Sequence, residues 1–181
     1  MIMRSVHSLW MLPVAAIVMP VYATEYMTAQ QAQKTIFPDA DSFETRTAIL
    51  TDAQKAKIKE LSGLRQRWDT QQIWRTVKDG KTIGWFVVDD VIGKHEFITY
   101  GVGFTPDGHV VGMEIMSYRE THGGQVRDAS WRKNFVGKTL ADPFKLDVDV
   151  LNNSGGTLSS RNVMDGVKRV LTIQKVLNLR V

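Results

Sequence analysis

The residues with the clearest chemical potential lie in one short segment, Ser154-Gly155-Gly156-Thr157-Leu158-Ser159-Ser160. Two adjacent glycines stand among hydroxyl side chains, directly before the longest helical pattern of the chain. Glycines let several backbone N–H groups point the same way, and the start of a helix adds unpaired N–H groups and the positive end of the helix dipole. Segment 154–160 therefore predicts a site for a phosphate or another anion. The alternative is an ordinary loop in which serine side chains cap the helix.

Other catalytic patterns do not occur in the sequence. The Gly101-x-Gly103 pair is followed by a turn, whereas a dinucleotide-binding fingerprint requires a helix there. No Walker motif and no nucleophile elbow are present. Histidines occur without the spacing of a metal site: His7, His95, His109 and His122. We therefore assign no catalytic residues and no metal ligands, and a hydrolase is the weakest functional hypothesis.

The composition restricts how this protein could handle electrons. Its 181 residues include no cysteine, which excludes disulfides, thiolate-bound iron–sulfur clusters and c-type haem attachment. The formal net charge is only +4, and pairs of basic and aromatic residues are isolated, so we do not predict binding to nucleic acid. The length suits one domain of ordinary size.

The periodicity of the chain indicates both helices and antiparallel strands. Helical patterns cover residues 28–37, 51–61, 129–136 and 160–177. Strand patterns, paired by an Asp-Gly turn and a Pro-Asp-Gly turn, cover residues 73–78, 82–89, 97–104 and 110–118. We predict a single α+β domain in which a twisted antiparallel sheet is flanked by helices.

The first 23 residues differ from the rest of the chain. The stretch from Leu9 to Tyr22 is nearly all apolar but shorter than the roughly 20 residues that span a bilayer. We predict a signal peptide over residues 1–23, cleaved after Ala23, followed by one domain over residues 24–181. The protein would then be periplasmic or otherwise exported. If the segment is not cleaved, it would anchor the protein in the membrane.

Segment 154–160 resembles the S-G-A-T-x-[ST]-S motif of the FMN-binding domain family. That family includes the NqrC subunits of sodium-pumping quinone reductases, the RnfG subunits and small exported flavoproteins with covalently bound flavin. Four further segments are similar to the family and occur in the same order: Ile36–Ala40, Ile98–Val110, Tyr118–Gly124 and Trp131–Lys138. The resemblance thus extends over most of residues 28–177.

The resemblance implies that FMN is held by a phosphoester bond to Thr157, made from FAD by a separate Mg-dependent flavin transferase. It implies further contacts from the rest of segment 154–160, namely Ser154, Gly155, Gly156, Leu158, Ser159 and Ser160. A second loop would approach the flavin ring with Glu120, Thr121 and Gly123. Basic residues that could offset the charge of the phosphate or the reduced flavin are Arg119, Arg127 and Arg161.

The implied function is that of an electron carrier or subunit, not of a stand-alone enzyme. It would pass electrons between membrane or periplasmic redox partners, such as a cytochrome or a ferric-reductase-like membrane protein. The alternative is a module that binds FMN or another phosphate ligand noncovalently and transfers no electrons.

Three positions depart from the family pattern. Gly156 stands where the family usually has alanine, and we expect that exchange to be tolerated. His122 replaces a proline of the ring-facing loop. Leu151 stands where the family usually has aspartate, and this departure supports the noncovalent alternative. Asp149 would supply the aspartate if Asn152-Asn153 is an insertion.

Overall fold

The computed structural model describes residues 26–180, so the predicted signal peptide lies outside the described residues. Within this range an antiparallel sheet of six strands is flanked by helices on both faces, as expected for the predicted α+β class. The strands are β1 (Ser42–Thr45), β2 (Ala48–Ile49), β3 (Thr70–Lys78), β4 (Lys81–Ile92), β5 (Phe97–Phe104) and β6 (Val110–Tyr118). The main order is β1-β3-β4-β5-β6, and β2 also pairs with β3.

The α-helices are α1 (Ala29–Ile36), α2 (Asp52–Ser62), α3 (Ala129–Arg132) and α4 (Thr157–Leu177). Helix α4 packs on β4 and β5 with α2 beside it, and this side of the sheet contains the larger apolar core. Helix α1 covers part of the opposite face, where Ile36 and Phe37 pack near Phe86 in a smaller core. None of the helices in residues 26–180 is long and apolar enough to cross a membrane.

The Gly101-x-Gly103 pair has a packing role within β5. A Cβ atom at Gly101 would overlap the ring of Phe86, and one at Gly103 would lie 2.5 Å from the ring of Phe37. Both glycines therefore make room for aromatic rings of the smaller core. This explains the pair without a nucleotide.

A buried polar cluster fastens α4 to the sheet. The guanidinium of Arg169 on α4 donates from Nε and Nη2 to Oδ2 of Asp89 on β4, at 2.9 and 2.7 Å. The Tyr100 hydroxyl donates to the same oxygen at 2.7 Å. All three side chains are buried, and such a cluster fixes the position of a helix because its charges must stay paired.

The sequence predicted most elements within a few residues, and both β5 and β6 have the predicted bounds. The strands β1 and β2 were missed because they are too short to show an alternating pattern. Helix α4 begins at Thr157 and not at residue 160. This difference matters for function, since it places Thr157 inside the first turn of the helix.

Candidate functional site

The start of α4 is an uncapped helix N-terminus. The first helical bond runs from the Ser160 N–H to the Gly156 carbonyl at 2.9 Å, so the N–H groups of residues 157–159 precede the helical ladder. The N-cap residue is Gly156, and in the described part of the chain no side chain accepts a capping hydrogen bond from these N–H groups. Helices α1 and α2, by contrast, each begin with a complete capping box formed by a threonine and a glutamine.

The turn before α4 presents Thr157 at the surface. Gly155 has a left-handed backbone with a φ of 78°, and a Cβ atom there would meet nothing within 4 Å. The Gly156 N–H donates to the Asn153 carbonyl at 2.9 Å and closes the turn. Thr157 and Leu158 are exposed, with Leu158 at 47%. Thr157 therefore lies at the surface of the described structure.

Two other residues of segment 154–160 face inward and hold the turn. Ser159 and Ser160 are buried. The Asn153 amide donates to Oγ of Ser160 at 3.1 Å. The indole N–H of Trp131 donates to the Leu151 carbonyl at 2.7 Å and fixes the chain that enters the turn. Of the predicted site residues in this segment, only Ser154, Gly155, Thr157 and Leu158 are exposed.

The loop of residues 120–124 packs directly against the start of α4. A Cβ atom at Gly156 would lie 2.6 Å from the Cα atom of Gly123, and one at Gly123 would lie 2.8 Å from Oγ of Ser159. The two glycines thus allow a backbone contact that a methyl group at either position would prevent. This contact brings the two segments predicted from the family motif together, although they are distant in sequence.

The close contact predicts a cost for alanine at position 156, where this chain has glycine in place of the family's usual alanine. We predict that Gly156→Ala lowers the free energy of unfolding by about 1–3 kcal/mol, because the added methyl group must displace the backbone of the loop. Thermal unfolding of the purified domain measures this effect. Gly155→Ala is the comparison, since its Cβ atom enters open space and its cost is limited to a positive φ, about 1–2 kcal/mol. A loss below about 1 kcal/mol in Gly156→Ala would argue against a tight contact.

Glu120 stabilises the β4–β5 turn. Its Oε1 atom accepts the N–H of His95 at 2.5 Å and the N–H of Glu96 at 3.0 Å. Partial burial acts to raise the pKa of Glu120, but these N–H groups together lower it. The Glu120 carboxylate is thus bound to backbone N–H groups. Thr121 and His122 are exposed, and Oγ1 of Thr121 lies 2.9 Å from Nδ1 of His122. A direct role of Glu120 and Thr121 at the flavin stays a prediction.

Asp149, the candidate substitute for the aspartate missing at Leu151, shapes the loop before the turn. Its carboxylate accepts a hydrogen bond from Nζ of Lys138 at 2.7 Å and from the N–H groups of Phe144 and Lys145 at 3.1 and 2.7 Å. Burial acts to raise the pKa of Asp149, but the bonds from Lys138 and the loop backbone lower it below its usual range. Its side chain is 15% exposed, so this aspartate stabilises the loop.

The lowered pKa gives a test by pH. A carboxyl group whose pKa is lower in the folded state adds stability above its unfolded pKa of about 4 and loses it as the pH falls. We predict that Asp149→Asn costs about 1–3 kcal/mol of unfolding free energy at pH 7 and that its difference from wild type shrinks below about pH 4. Denaturant unfolding across pH measures both effects. Asp147→Asn, at an exposed position of the same loop, should change little at any pH.

The three candidate basic residues have different surroundings. Arg161 is exposed one turn after Thr157, on the same side of α4. Arg119 is exposed next to the 120–124 loop. Arg127 lies 4.7 Å from the ring of Tyr26 and 5.8 Å from the ring of Tyr118, and its Nε donates to the Gly124 carbonyl. Arg161 is thus the best placed to meet an anion at Thr157.

Within residues 26–180, no three His, Asp or Glu side chains converge as a metal site would require. A cavity of about 650 Å³ lies near the far end of α4, beside Leu171 and Lys175, and none of the predicted site residues lines it.

Several residues around the site were not among the sequence predictions. Tyr118 and Trp131 lie within segments that resemble the family, but their contacts are with residues far along the chain. Asn162 of α4 donates to the Ile92 carbonyl at 2.7 Å and ties the helix to the β4–β5 turn. Sequence spacing gives no signal for such contacts.

Comparisons with known proteins agree with this geometry. Residues 93–172, which include both the 120–124 loop and segment 154–160, match the family model of the FMN-binding domain. The fold is similar to the crystal structure of NqrC from Shewanella oneidensis, with a TM-score of 0.54 and 17% identity over 80% of this chain and 87% of that chain. No curated protein sequence matches this chain.

The fold is also similar to a second crystal structure, that of a Na(+)-translocating NADH-quinone reductase subunit from Parabacteroides distasonis, with a TM-score of 0.52. The identity is 12%, over 77% of this chain and 80% of that chain. At these identities the likeness shows a shared fold. Residues 93–172 of this chain match the FMN-binding domain family, and the described fold agrees with that of the two solved structures.

Proposed function

We propose that this protein is an exported flavoprotein that carries FMN on Thr157 and passes electrons between redox partners. One observation carries the proposal. In a chain with an FMN-binding domain, the threonine of the matching motif is exposed at an uncapped helix start. The site would therefore offer both a hydroxyl for the ester bond and backbone donors for the phosphate.

The residues around Thr157 suit a phosphate group. The N–H groups of residues 157–159 lie before the first helical bond and receive no side-chain cap in the described structure. The first turn of α4 contains no acidic residue, so nothing there repels an anion. Gly155 leaves open space on the outer side of the turn, and Arg161 follows on the same side of the helix. These features favour an anion at the start of α4.

Attachment would be a transfer of the FMN moiety from FAD. The Thr157 Oγ atom forms a bond to phosphorus, the phosphoanhydride of FAD breaks, and AMP leaves. The hydroxyl proton passes to a base of the flavin transferase. Exposure of Thr157 supports this route, because the active site of another enzyme must reach the hydroxyl.

Once bound, FMN supplies one-electron and two-electron redox chemistry. This chain would bind and orient the cofactor through the start of α4 and leave it open to partners, since both Thr157 and Leu158 are exposed. The predicted signal peptide supports an exported location, where a covalent bond prevents loss of the cofactor. We propose a cytochrome or a ferric-reductase-like membrane protein as the partner.

The test is the intact mass of the exported protein, produced with and without a flavin transferase. We expect a gain of one FMN less one water only with the transferase, together with flavin absorbance that survives acid precipitation. Bleaching by reductant and recovery with an electron acceptor would support the carrier role. A protein that gains no mass when the transferase is active on a control substrate would contradict covalent attachment.

A second candidate is a module that binds FMN noncovalently. Leu151 favours it, because the usual aspartate is missing and Asp149 is bound to Lys138 and the loop backbone. A yellow protein that releases all of its flavin on acid precipitation would support this candidate over the first.

A further inference from the structure

We propose that Tyr118 is a positioning residue that holds the 120–124 loop against the first turn of α4 and thereby controls flavin loading at Thr157. This inference rests on the proposed function, because its effect is read at the flavin. Tyr118 is the last residue of β6, so its ring is fixed by the sheet while its hydroxyl reaches both the 120–124 loop and the start of α4.

The Tyr118 hydroxyl joins the loop and the helix. It donates a hydrogen bond to the His122 carbonyl and lies 3.0 Å from Oγ of Ser159. A carbonyl oxygen only accepts, so the single hydroxyl proton of Tyr118 is used on His122. The Ser159 hydroxyl must then donate to Tyr118, and the chain of donors runs from Ser159 through Tyr118 to His122.

This direction determines what Ser159 can do. Its proton is used on Tyr118, and its side chain is buried. Ser159 is therefore not a side-chain donor to a phosphate at Thr157, although its backbone N–H stays available at the helix start. The hydroxyl of Ser159 instead connects the first turn of α4 to the sheet through Tyr118.

The 120–124 loop packs closely against the hydrogen bond between Tyr118 and Ser159. A Cβ atom at Gly123 would lie 2.8 Å from Oγ of Ser159 and 2.9 Å from the hydroxyl of Tyr118. The loop backbone thus lies directly on the hydrogen-bonded pair. Burial raises the pKa of Tyr118, so the hydroxyl remains protonated and able to donate at neutral pH.

Arg127 supports the Tyr118 ring from the outside. Its guanidinium lies between Tyr26 and Tyr118, 4.7 and 5.8 Å from the two ring centres. The chain at Tyr26 is itself bound to β6, because its N–H donates to the Met116 carbonyl at 2.9 Å. Tyr26 makes a similar ring contact but no hydroxyl contact with the loop or with α4 in the described structure, which makes it a matched control.

The experiment compares Tyr118→Phe with Tyr26→Phe in the full chain, using limiting flavin transferase and FAD. We expect Tyr118→Phe to incorporate FMN about three- to tenfold more slowly, the effect of one lost hydrogen bond, and Tyr26→Phe to match wild type. After full loading, the absorbance and fluorescence of the flavin should shift in Tyr118→Phe only. A purely structural role would lower thermal stability without moving the flavin spectrum.

A second variant keeps the proposal testable if Tyr118→Phe does not fold. Ser159→Ala removes the other hydroxyl of the pair and should slow loading by a similar factor, and the double variant should be no slower than either one. Normal loading and an unchanged spectrum in folded Tyr118→Phe would overturn the positioning role while the proposed function stands. If wild type takes up no FMN at all, both proposals fail.

Discussion

Thr157→Ala should give a protein with no covalently bound FMN, even with excess transferase and FAD. The expected effect is complete because the ester bond requires a hydroxyl, and the other hydroxyls of the motif are unsuited to replace it. Ser159 and Ser160 are buried, and both contact partners inside the fold. Ser154 is exposed but lies in the turn closed by the Asn153–Gly156 hydrogen bond, before the first residue of α4. Intact mass and in-gel flavin fluorescence measure the result.

Two controls separate the hydroxyl from the fold. Thr157→Ser keeps a hydroxyl at the first position of α4 and should still accept FMN, whereas Ser154→Ala should load as wild type does. Thr157→Ala should also unfold at nearly the wild-type temperature, because its side chain is exposed. A mass gain that persists in Thr157→Ala would assign the bond to another residue.

The sequence predicted the motif and the sheet because both depend on local signals. The β5–β6 hairpin is defined by a Pro-Asp-Gly turn between alternating strands, and its bounds are confirmed. Segment 154–160 was recognisable because its glycines and hydroxyls are consecutive. The predicted helix start is three residues too late, since Thr157 and Ser159 favour a loop by their own propensities. In the structure Ser159 and Ser160 are buried, and the helix extends back to the exposed Thr157.

The contacts that shape the site could not be predicted because they join residues far apart in sequence. Gly156 is required by the backbone of Gly123, and Tyr118 is engaged by Ser159. Each of these residues has an ordinary local pattern, so spacing alone gives no indication of its partner. The sequence shows that Gly156 departs from the family's alanine, and the structure supplies the reason.

The site therefore depends on how α4 is held at two places. At its start, the 120–124 loop and Tyr118 fix the first turn. About three turns later, Arg169 fixes the same helix to β4 through Asp89. The first set of contacts reaches the proposed flavin site directly, whereas the second acts through the stability of the helix. Variants at the start of α4 should consequently change flavin loading, whereas variants at Arg169 should change the free energy of unfolding.

Arg169→Met should lower the free energy of unfolding by about 3–5 kcal/mol, because it leaves a buried carboxylate without its cation. Asp89 is 3% exposed and would keep only the bond from Tyr100, while its Oδ1 atom already has no partner among the described residues. The carbonyls of Asp90 and Arg65 would each lose a donor as well. Chemical denaturation measures the loss, with Lys168→Met as the control at the adjacent, half-buried position.

The double variant Asp89→Leu with Arg169→Met tests the cause of that loss. Removing both charges removes the unpaired carboxylate, so a large part of the stability should return. If Arg169→Met instead costs no more than Lys168→Met, the buried pair does not hold the helix. The folded fraction of Arg169→Met should still load FMN with a wild-type spectrum, because the first turn of α4 keeps its contacts with Tyr118 and Gly123. A changed spectrum in that fraction would mean that the two places on α4 are coupled.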